Sequence, residues 1–260
     1  MIKMIKHSIS GVKLFKACRR AYEFKYVEGL LPVSEPDALK TGRKYHELLE
    51  NLYKNGNIIA ETDEEDFSKE MAMAIAYRKH IFPKFKVKAC EEWLEKGMFI
   101  GRADGIAEDG SLVEHKTTSG DLEEYEYDLQ RDEQILMYMF LSGKRKVYYT
   151  IIKKPLLRQK KTETEEEFYW RMVHWYDEDT DDKIRVVELT RTDEEVNDFA
   201  DELMRTAYEI DHCGIYYRNT QHCKLWGRRC EYAGICMNYD PHMQYTEFYR
   251  RKGYESTETG

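Results

Sequence analysis

Two periodicities divide the chain. Around residues 87–117 apolar and polar positions alternate, which is the signature of half-buried strands. Val87, Ala89, Glu91 and Trp93 fall on one face of a strand predicted over 87–96. Residues 101–116 read GRADGIAEDGSLVEHK, two strand-like runs around Asp109-Gly110. Asp-Gly between such runs predicts a hairpin. Elsewhere the apolar positions follow helical spacing. A helix over 10–26, capped by Ser10, carries Leu14, Cys18, Ala21 and Tyr22 on one face. A second, over 37–54, aligns His46, Leu49 and Tyr53. Thr62-Asp63-Glu64-Glu65 is a capping box opening a third, with Phe67, Met71, Ala74, Ile75 and Arg78, and Pro83 ends it. A long helix over 121–141, closed by Gly143, places Gln130, Gln134 and Tyr138 four residues apart on one face. A strand over 145–153 follows, then a helix starting near Thr162, a strand over 183–191, and a helix from Thr192 to about His212. Helices, three strands, a helix, a strand and an α-rich tail predict an α/β fold with a mixed central sheet flanked by helices.

The hairpin is where chemistry concentrates. Glu114 and Lys116 point to one face of the second strand, and the turn can return Asp104 beside them. Two close carboxylates repel unless a cation lies between them. A hard divalent ion takes oxygen ligands, polarises a phosphoryl oxygen and lowers the pKa of bound water. An adjacent ammonium orients or deprotonates that water, or offsets charge on phosphate. Taken alone, Asp-x9-Glu-x-Lys more readily fits an ordinary hairpin with surface salt bridges, since such spacings arise by accident.

Wider context changes this reading. Asp104, Glu114 and Lys116 together with Gly42-x3-His46 upstream and Gln134-x3-Tyr138 downstream resemble the PD-(D/E)xK nuclease superfamily. The likeness is to its RecB-type exonuclease branch, which includes the iron–sulfur nucleases of CRISPR adaptation and AddB-type proteins. Ala103 stands where the family name has proline, and the matching features run from Cys18 to Cys236. The resemblance implies a restriction-endonuclease-like core in a single domain spanning 1–260. Its catalytic sheet lies at 84–153, and a phage-type insertion at 155–190. It further implies metal ligation of Mg²⁺ or Mn²⁺ by His46, Asp104, Glu114 and the His115 carbonyl. Lys116 would position water, with Gln134 and Tyr138 orienting lysine and substrate. In the insertion, Arg158, Lys160 and Lys161 are expected phosphate contacts, and Trp170 and Trp175 either stack unpaired bases or pack the helix.

The chain has six cysteines. Three of them fall in the late Cys223-x6-Cys230-x5-Cys236 run, a grouping that points to metal in a chain expected to be cytoplasmic. By the family pattern Cys18 is the fourth ligand of a [4Fe–4S] cluster joining the helical N- and C-terminal parts, with the cysteine region at 213–240. The spacing differs from the family's usual C-x2-C-x5-C, so zinc with His222 or His212 is the alternative. Cys90 and Cys213 read as plain small residues.

Length and charge set the remaining bounds. The chain has 260 residues with 41 Lys and Arg against 49 Asp and Glu, a formal charge of −8. That balance opposes phosphate binding unless the basic runs at 144–146, 153–154, 158–161, 228–229 and 250–252 segregate from the acidic ones. No apolar run is long enough to span a membrane, and MIKMIKHSIS lacks a signal peptide's apolar segment, so a bacterial or phage-infected cytoplasm is the expected location. The expected function is metal-dependent exonuclease action on DNA ends, single-stranded ends foremost, in recombination, repair or phage DNA processing, with a helicase or recombination protein as partner. The alternatives are a non-cleaving DNA-end-binding module and a structure-specific endonuclease.

Overall fold

The computed structural model describes residues 6–33, 36–58, 66–225, 228–237 and 249–251. The chain divides into two compact units, one formed by Met1–Pro36 with Asp201–Gly260 and the other by Asp37–Ala200.

In the first unit, α1 (Ile9–Ala17) is capped by Ser8, whose Oγ accepts from the Gly11 N–H at 3.3 Å. The expected cap, Ser10, lies inside the helix instead, because Ser8 already has the extended backbone that a cap needs. The predicted continuous helix also breaks. Cys18 is extended (φ −161°, ψ 108°), and the chain resumes as α2 (Arg19–Tyr22) and a π turn, Glu23–Val27, before strand β1 (Leu30–Pro32).

The second unit holds the predicted mixed sheet. Helices α3 (Asp37–Asn55) and α4 (Lys69–His80) precede strands β2 (Val87–Lys96), β3 (Phe99–Ala107) and β4 (Leu112–Thr118). The described part of the third helix begins at Lys69 under a Ser68 cap, and the Thr62–Glu65 box lies outside the described residues. Helices α5 (Leu122–Leu129) and α6 (Glu133–Ser142) follow, then β5 (Lys146–Lys153), α7 (Glu165–Trp175), β6 (Ile184–Thr190) and the start of α8 (Asp193–Asp211), whose residues from Asp201 on belong to the first unit. The sheet order is β2-β3-β4-β5-β6, with β4 and β5 parallel and the other neighbours antiparallel. Strand β6 therefore extends the sheet past the predicted 84–153 core.

Successive strand residues face opposite layers. Ile152 packs with Tyr45, Leu49, Met73 and Tyr77 of α3 and α4 and with Tyr169 and Met172 of α7. Ile151, with Val147 and Tyr149, packs with Leu129, Ile135 and Met139 of α5 and α6. The sheet is thus covered on both sides, as its parallel pair requires.

The predicted 121–141 helix is two helices. Asp132 adopts φ −76°, ψ 97° and its Oδ1 accepts from the Gln134 N–H at 3.0 Å, so it caps a new helix rather than continuing the old one. Gln130 is consequently the cap of α5, out of line with Gln134 and Tyr138, and its Oε1 accepts from Arg191 at 3.3 Å. Helix α7 starts later than predicted because Thr164 and Glu167, not Thr162 and Glu165, form the capping box. The Thr192–Glu195 box forms as predicted.

Beyond α8, the first unit is completed by β7 (Lys224–Leu225), β8 (Arg228–Arg229), α9 (Ala233–Met237) and β9 (Tyr249–Arg251), which pairs with β1. Cys18, Ala21, Phe24, Leu30, Tyr232 and Ile235 form its buried cluster. Among the described residues no helix is long and apolar enough to cross a membrane.

Candidate active site

Strand β4 carries Glu114 and Lys116 toward α6. Lys116 Nζ lies 2.7 Å from Glu114 Oε1, 3.1 Å from Gln134 Oε1 and 3.8 Å from Asp132 Oδ2. Gln134 Nε2 donates to Glu114 Oε1 at 2.7 Å and to the Tyr138 hydroxyl at 3.1 Å. Both ends of the Gln134 amide are therefore engaged, which fixes its orientation. The capping role of Asp132 sets this register, because it starts α6 two residues before Gln134. Tyr138 lies flat against β3, where only a glycine fits. A Cβ on Gly101 would stand 2.5 Å from Tyr138 Cε1. The four residues named from sequence on this side, Glu114, Lys116, Gln134 and Tyr138, form one hydrogen-bonded group.

On the other side of Asp104 stands α3. His46 Nδ1 is 3.3 Å from Asp104 Oδ1, and its Nε2 is 3.1 Å from the His115 carbonyl oxygen. Asp104 Oδ2 accepts the His115 N–H at 2.7 Å, which pins the β3 carboxylate to β4. The buried His115 ring turns away, with Nδ1 2.6 Å from Thr150 Oγ1, so only its backbone faces the site.

Glu91 is not among the ligands expected from sequence. One ligand atom from each of His46, Glu91 and Asp104 lies within 4.8 Å of the other two. The hairpin register explains this. Cys90 pairs with Gly105 and Glu92 with Ala103, which leaves Glu91 opposite Asp104. Its φ of +54° is a left-handed conformation that non-glycine residues rarely adopt in a strand. The signal was in the sequence. Gly97-Met98 is a two-residue turn between Lys96 and Phe99, and counting back from it places Glu91 across from Asp104.

The electrostatics match a cation site. Burial pushes the Glu114 carboxyl up, and the Asp104 charge adds to it against the pull of Lys116. Burial also works against Asp104, but the His46 ring and the His115 N–H hold it below the usual carboxylate range. Burial opposes a charge on His46 too, yet Asp104 overrides it and lifts the ring to about 9. Glu114 Oε2 is buried with no hydrogen-bond partner. The two carboxylates and the imidazole of the His46–Glu91–Asp104 group are a donor set that fits Mg²⁺ or Mn²⁺; Glu114 lies outside that group, and its orphaned oxygen feels the charges of Asp104 and His46.

The remaining expected residues lie elsewhere. Arg158, Lys160 and Lys161 are exposed on the loop before α7, outside the hydrogen-bonded group, and Lys160 lines a depression with Glu163, Glu166, Glu167 and Glu178. Trp175 packs under Lys183, whose Nζ is 4.7 Å from the ring centre, while Trp170 is exposed on the same acidic depression. Two residues of the basic 144–146 run are paired with acids: Lys146 with Asp109 at 2.6 Å and Arg145 with Asp193 at 2.6 Å. In the first unit Cys230 and Cys236 pack against the cluster that contains Cys18. Asn219 bridges from its N–H to Cys18 Sγ (3.5 Å) and from its carbonyl to Cys223 Sγ (3.8 Å), and Cys230 N–H bonds the Cys223 carbonyl at 2.9 Å. Among the described residues no three cysteine sulfurs come within 4.8 Å of one another, so a metal cluster joining them is not shown.

Comparison with known proteins gives a family. A model of the PD-(D/E)XK nuclease superfamily matches residues 6–97 and 61–237. A phage related exonuclease from Haemophilus somnus 129PT is similar at 16% identity and a TM-score of 0.36, over 74% of this chain and 92% of that one. An alkaline exonuclease from Laribacter hongkongensis is similar at 10% identity and a TM-score of 0.38, over 81% of this chain and 90% of its own. The same enzyme in complex with dAMP is similar at 11% identity and a TM-score of 0.37, over 80% and 88%. No match is found among curated proteins. The iron–sulfur branch is not distinguished by these matches. Since the superfamily model runs across far more than half of the sequence, this chain belongs to the PD-(D/E)XK nuclease superfamily.

Proposed function

We propose that this protein hydrolyses DNA phosphodiester bonds in a reaction that depends on Mg²⁺ or Mn²⁺, acting at DNA ends. The observation that carries this reading is the hydrogen-bonded Glu114–Lys116–Gln134–Tyr138 group, in which Glu114 feels the charges of Asp104 and His46 and keeps one oxygen unpartnered. His46, Asp104, Glu114 and the His115 carbonyl would hold the cation, and Glu91 is an added candidate. When bound, the cation supplies Lewis-acid polarisation of a phosphoryl oxygen and lowers the pKa of a bound water. Lys116 acts as a donor rather than a base. Burial opposes its charge, but Glu114 and Asp132 hold its pKa above the usual lysine value. A fixed ammonium there orients the attacking water and offsets charge that grows on the phosphate. Gln134 holds Lys116 and Glu114 in one geometry, and Tyr138 holds Gln134.

Preference for ends, and for single strands, rests on the resemblance to the RecB-type branch, as does a role in recombination, repair or phage DNA processing. The same resemblance supports a [4Fe–4S] cluster on Cys18, Cys223, Cys230 and Cys236; the departure of their spacing from the family pattern leaves zinc, with His222 or His212, as the alternative.

The test is cleavage of linear and circular DNA, single- and double-stranded, with Mg²⁺, with Mn²⁺ and with chelator, Lys116→Ala running beside the wild type. The expected result is metal-dependent loss of linear forms only, absent in the variant. Cutting of circles would replace the exonuclease reading by an endonuclease, and no cleavage in any lane would refute hydrolysis. Iron and acid-labile sulfide in anaerobically purified protein check the cluster, and stoichiometric zinc without iron would refute it.

A further inference from the structure

The face of the β2–β3 hairpin that carries Glu91 and Asp104 continues outward to a second pair. Trp93 and Arg102 are register partners, each two residues along its strand from Glu91 and Asp104. Two residues of strand span about 7 Å. On β3 the residue between, Ala103, is fully buried, so Asp104 and Arg102 share the opposite side. Arg102 Nε pairs with Glu91 Oε2 at 2.7 Å, and its guanidinium carbon lies 5.7 Å from the Trp93 ring centre. A contiguous path therefore runs from His46 and Asp104 through Glu91 and Arg102 to Trp93.

Neither outer residue is used for packing. Trp93 is 67% exposed, and the Arg102 side chain is 55% exposed. An indole left open beside a polar site presents a flat stacking surface. The Glu91 pair occupies Nε of Arg102, while a guanidinium carries further donors that match a phosphate. Arg102 is the exposed guanidinium next to this acidic group, so a phosphate that approaches past Trp93 meets it first.

We propose that Trp93 and Arg102 form the contact surface for the DNA strand leading to the scissile bond, Trp93 stacking on an unpaired base and Arg102 holding a phosphate. This rests on the nuclease reading above and narrows its substrate to a strand whose bases are unpaired next to the site. In a duplex the base faces are covered by neighbours, so Trp93 discriminates single-stranded or frayed ends.

The experiment is anisotropy binding of a labelled single strand and of the blunt duplex across a salt series, in a Lys116→Met background with Mg²⁺ present. Trp93→Ala is expected to weaken single-strand binding on the order of tenfold and to leave duplex binding little changed. Trp93→Phe should retain most of the affinity. Arg102→Ala should weaken both DNAs and reduce the salt slope by about one, and Arg102→Lys should restore the slope. Thermal melting of each variant separates loss of contact from loss of fold. If the parent binds single strands and the variants bind equally, this inference is overturned while the nuclease reading stands. A parent that binds neither DNA would overturn both.

Discussion

Replacing Gly101 by alanine tests whether the β3–α6 contact organises the active site. Its backbone is ordinary, since Gly101 is not among the positive-φ glycines, so the effect is steric. The new methyl would meet Tyr138 Cε1 at 2.5 Å, Tyr138 Cδ1 at 3.0 Å and a Leu141 methyl at 3.4 Å. Carbon atoms rest about 3.5–4.0 Å apart, so the ring must withdraw by about 1 Å. Tyr138 is only 5% exposed and sits in the core cluster with Ile135 and Met139, which leaves little room. Overpacking of this kind costs about 1–3 kcal/mol, or roughly 2–12 °C of melting temperature for a unit of this size. Movement of the ring also takes its hydroxyl from Gln134, whose amide spans Glu114 and Lys116. Nuclease activity should therefore fall further than the loss of folded protein explains. Differential scanning fluorimetry and a single-strand cleavage assay measure the two effects. Tyr138→Leu supplies the control, because the cost of Gly101→Ala should shrink in that background. A Gly101→Ala protein that melts within about 1 °C of wild type, or a cost unchanged beside Leu at 138, would refute the reasoning.

Three further outcomes are expected. Burial pushes the His115 ring down to about 4. Unfolded, it titrates near about 6.5, so between these values the unfolded chain binds more protons and stability rises with pH. The protein should lose about 2 kcal/mol between about pH 7 and pH 5 from this group, and His115→Gln should flatten that part of a melting-versus-pH curve. Stabilisation by Mn²⁺, read as a melting-temperature shift across a metal titration, should require more metal in His46→Ala and in Glu91→Gln, and unchanged titrations would remove each from the ligand set. Asp132→Ala removes the α6 cap, at about 1 kcal/mol, and loosens the Lys116–Gln134 geometry; activity should fall by more than stability, and an unchanged rate would show that α6 holds its register without the cap.

Much of this architecture was legible because it is local. Asp109-Gly110 with Gly110 at φ +84° makes the predicted hairpin turn, and strict alternation along β4 sends Glu114 and Lys116 the same way. Helix α3 keeps Thr41, Tyr45, Leu48, Leu49 and Leu52 on one buried stripe in spite of Gly42, so its extent and the inward side of His46 follow from period. Gln134 and Tyr138 are one turn apart on α6, and any helix there makes them neighbours.

Breaks and cross-strand neighbours were less visible from pattern. Residues 121–141 are apolar at helical spacing on both sides of Asp132, and propensity alone does not choose between a helix interior and a new cap. The packing of α6 on the sheet decides for the cap. Cys18 likewise sits on the predicted helical face, yet its backbone is extended where the buried cluster of Ala21, Phe24, Tyr232 and Ile235 forms. Glu91 belongs to a different class. Its place opposite Asp104 could be counted from the Gly97-Met98 turn, but the left-handed backbone and the approach to His46 require three separate elements to meet. The sequence by itself determined which residues are candidates for the chemistry and the strand and helix faces they occupy, since short-range periodicity sets those directions. Only the tertiary structure decided which carboxylate oxygens stay unpaired, which cations are already engaged and which aromatic ring remains open to a ligand, because those depend on contacts between segments far apart in the chain.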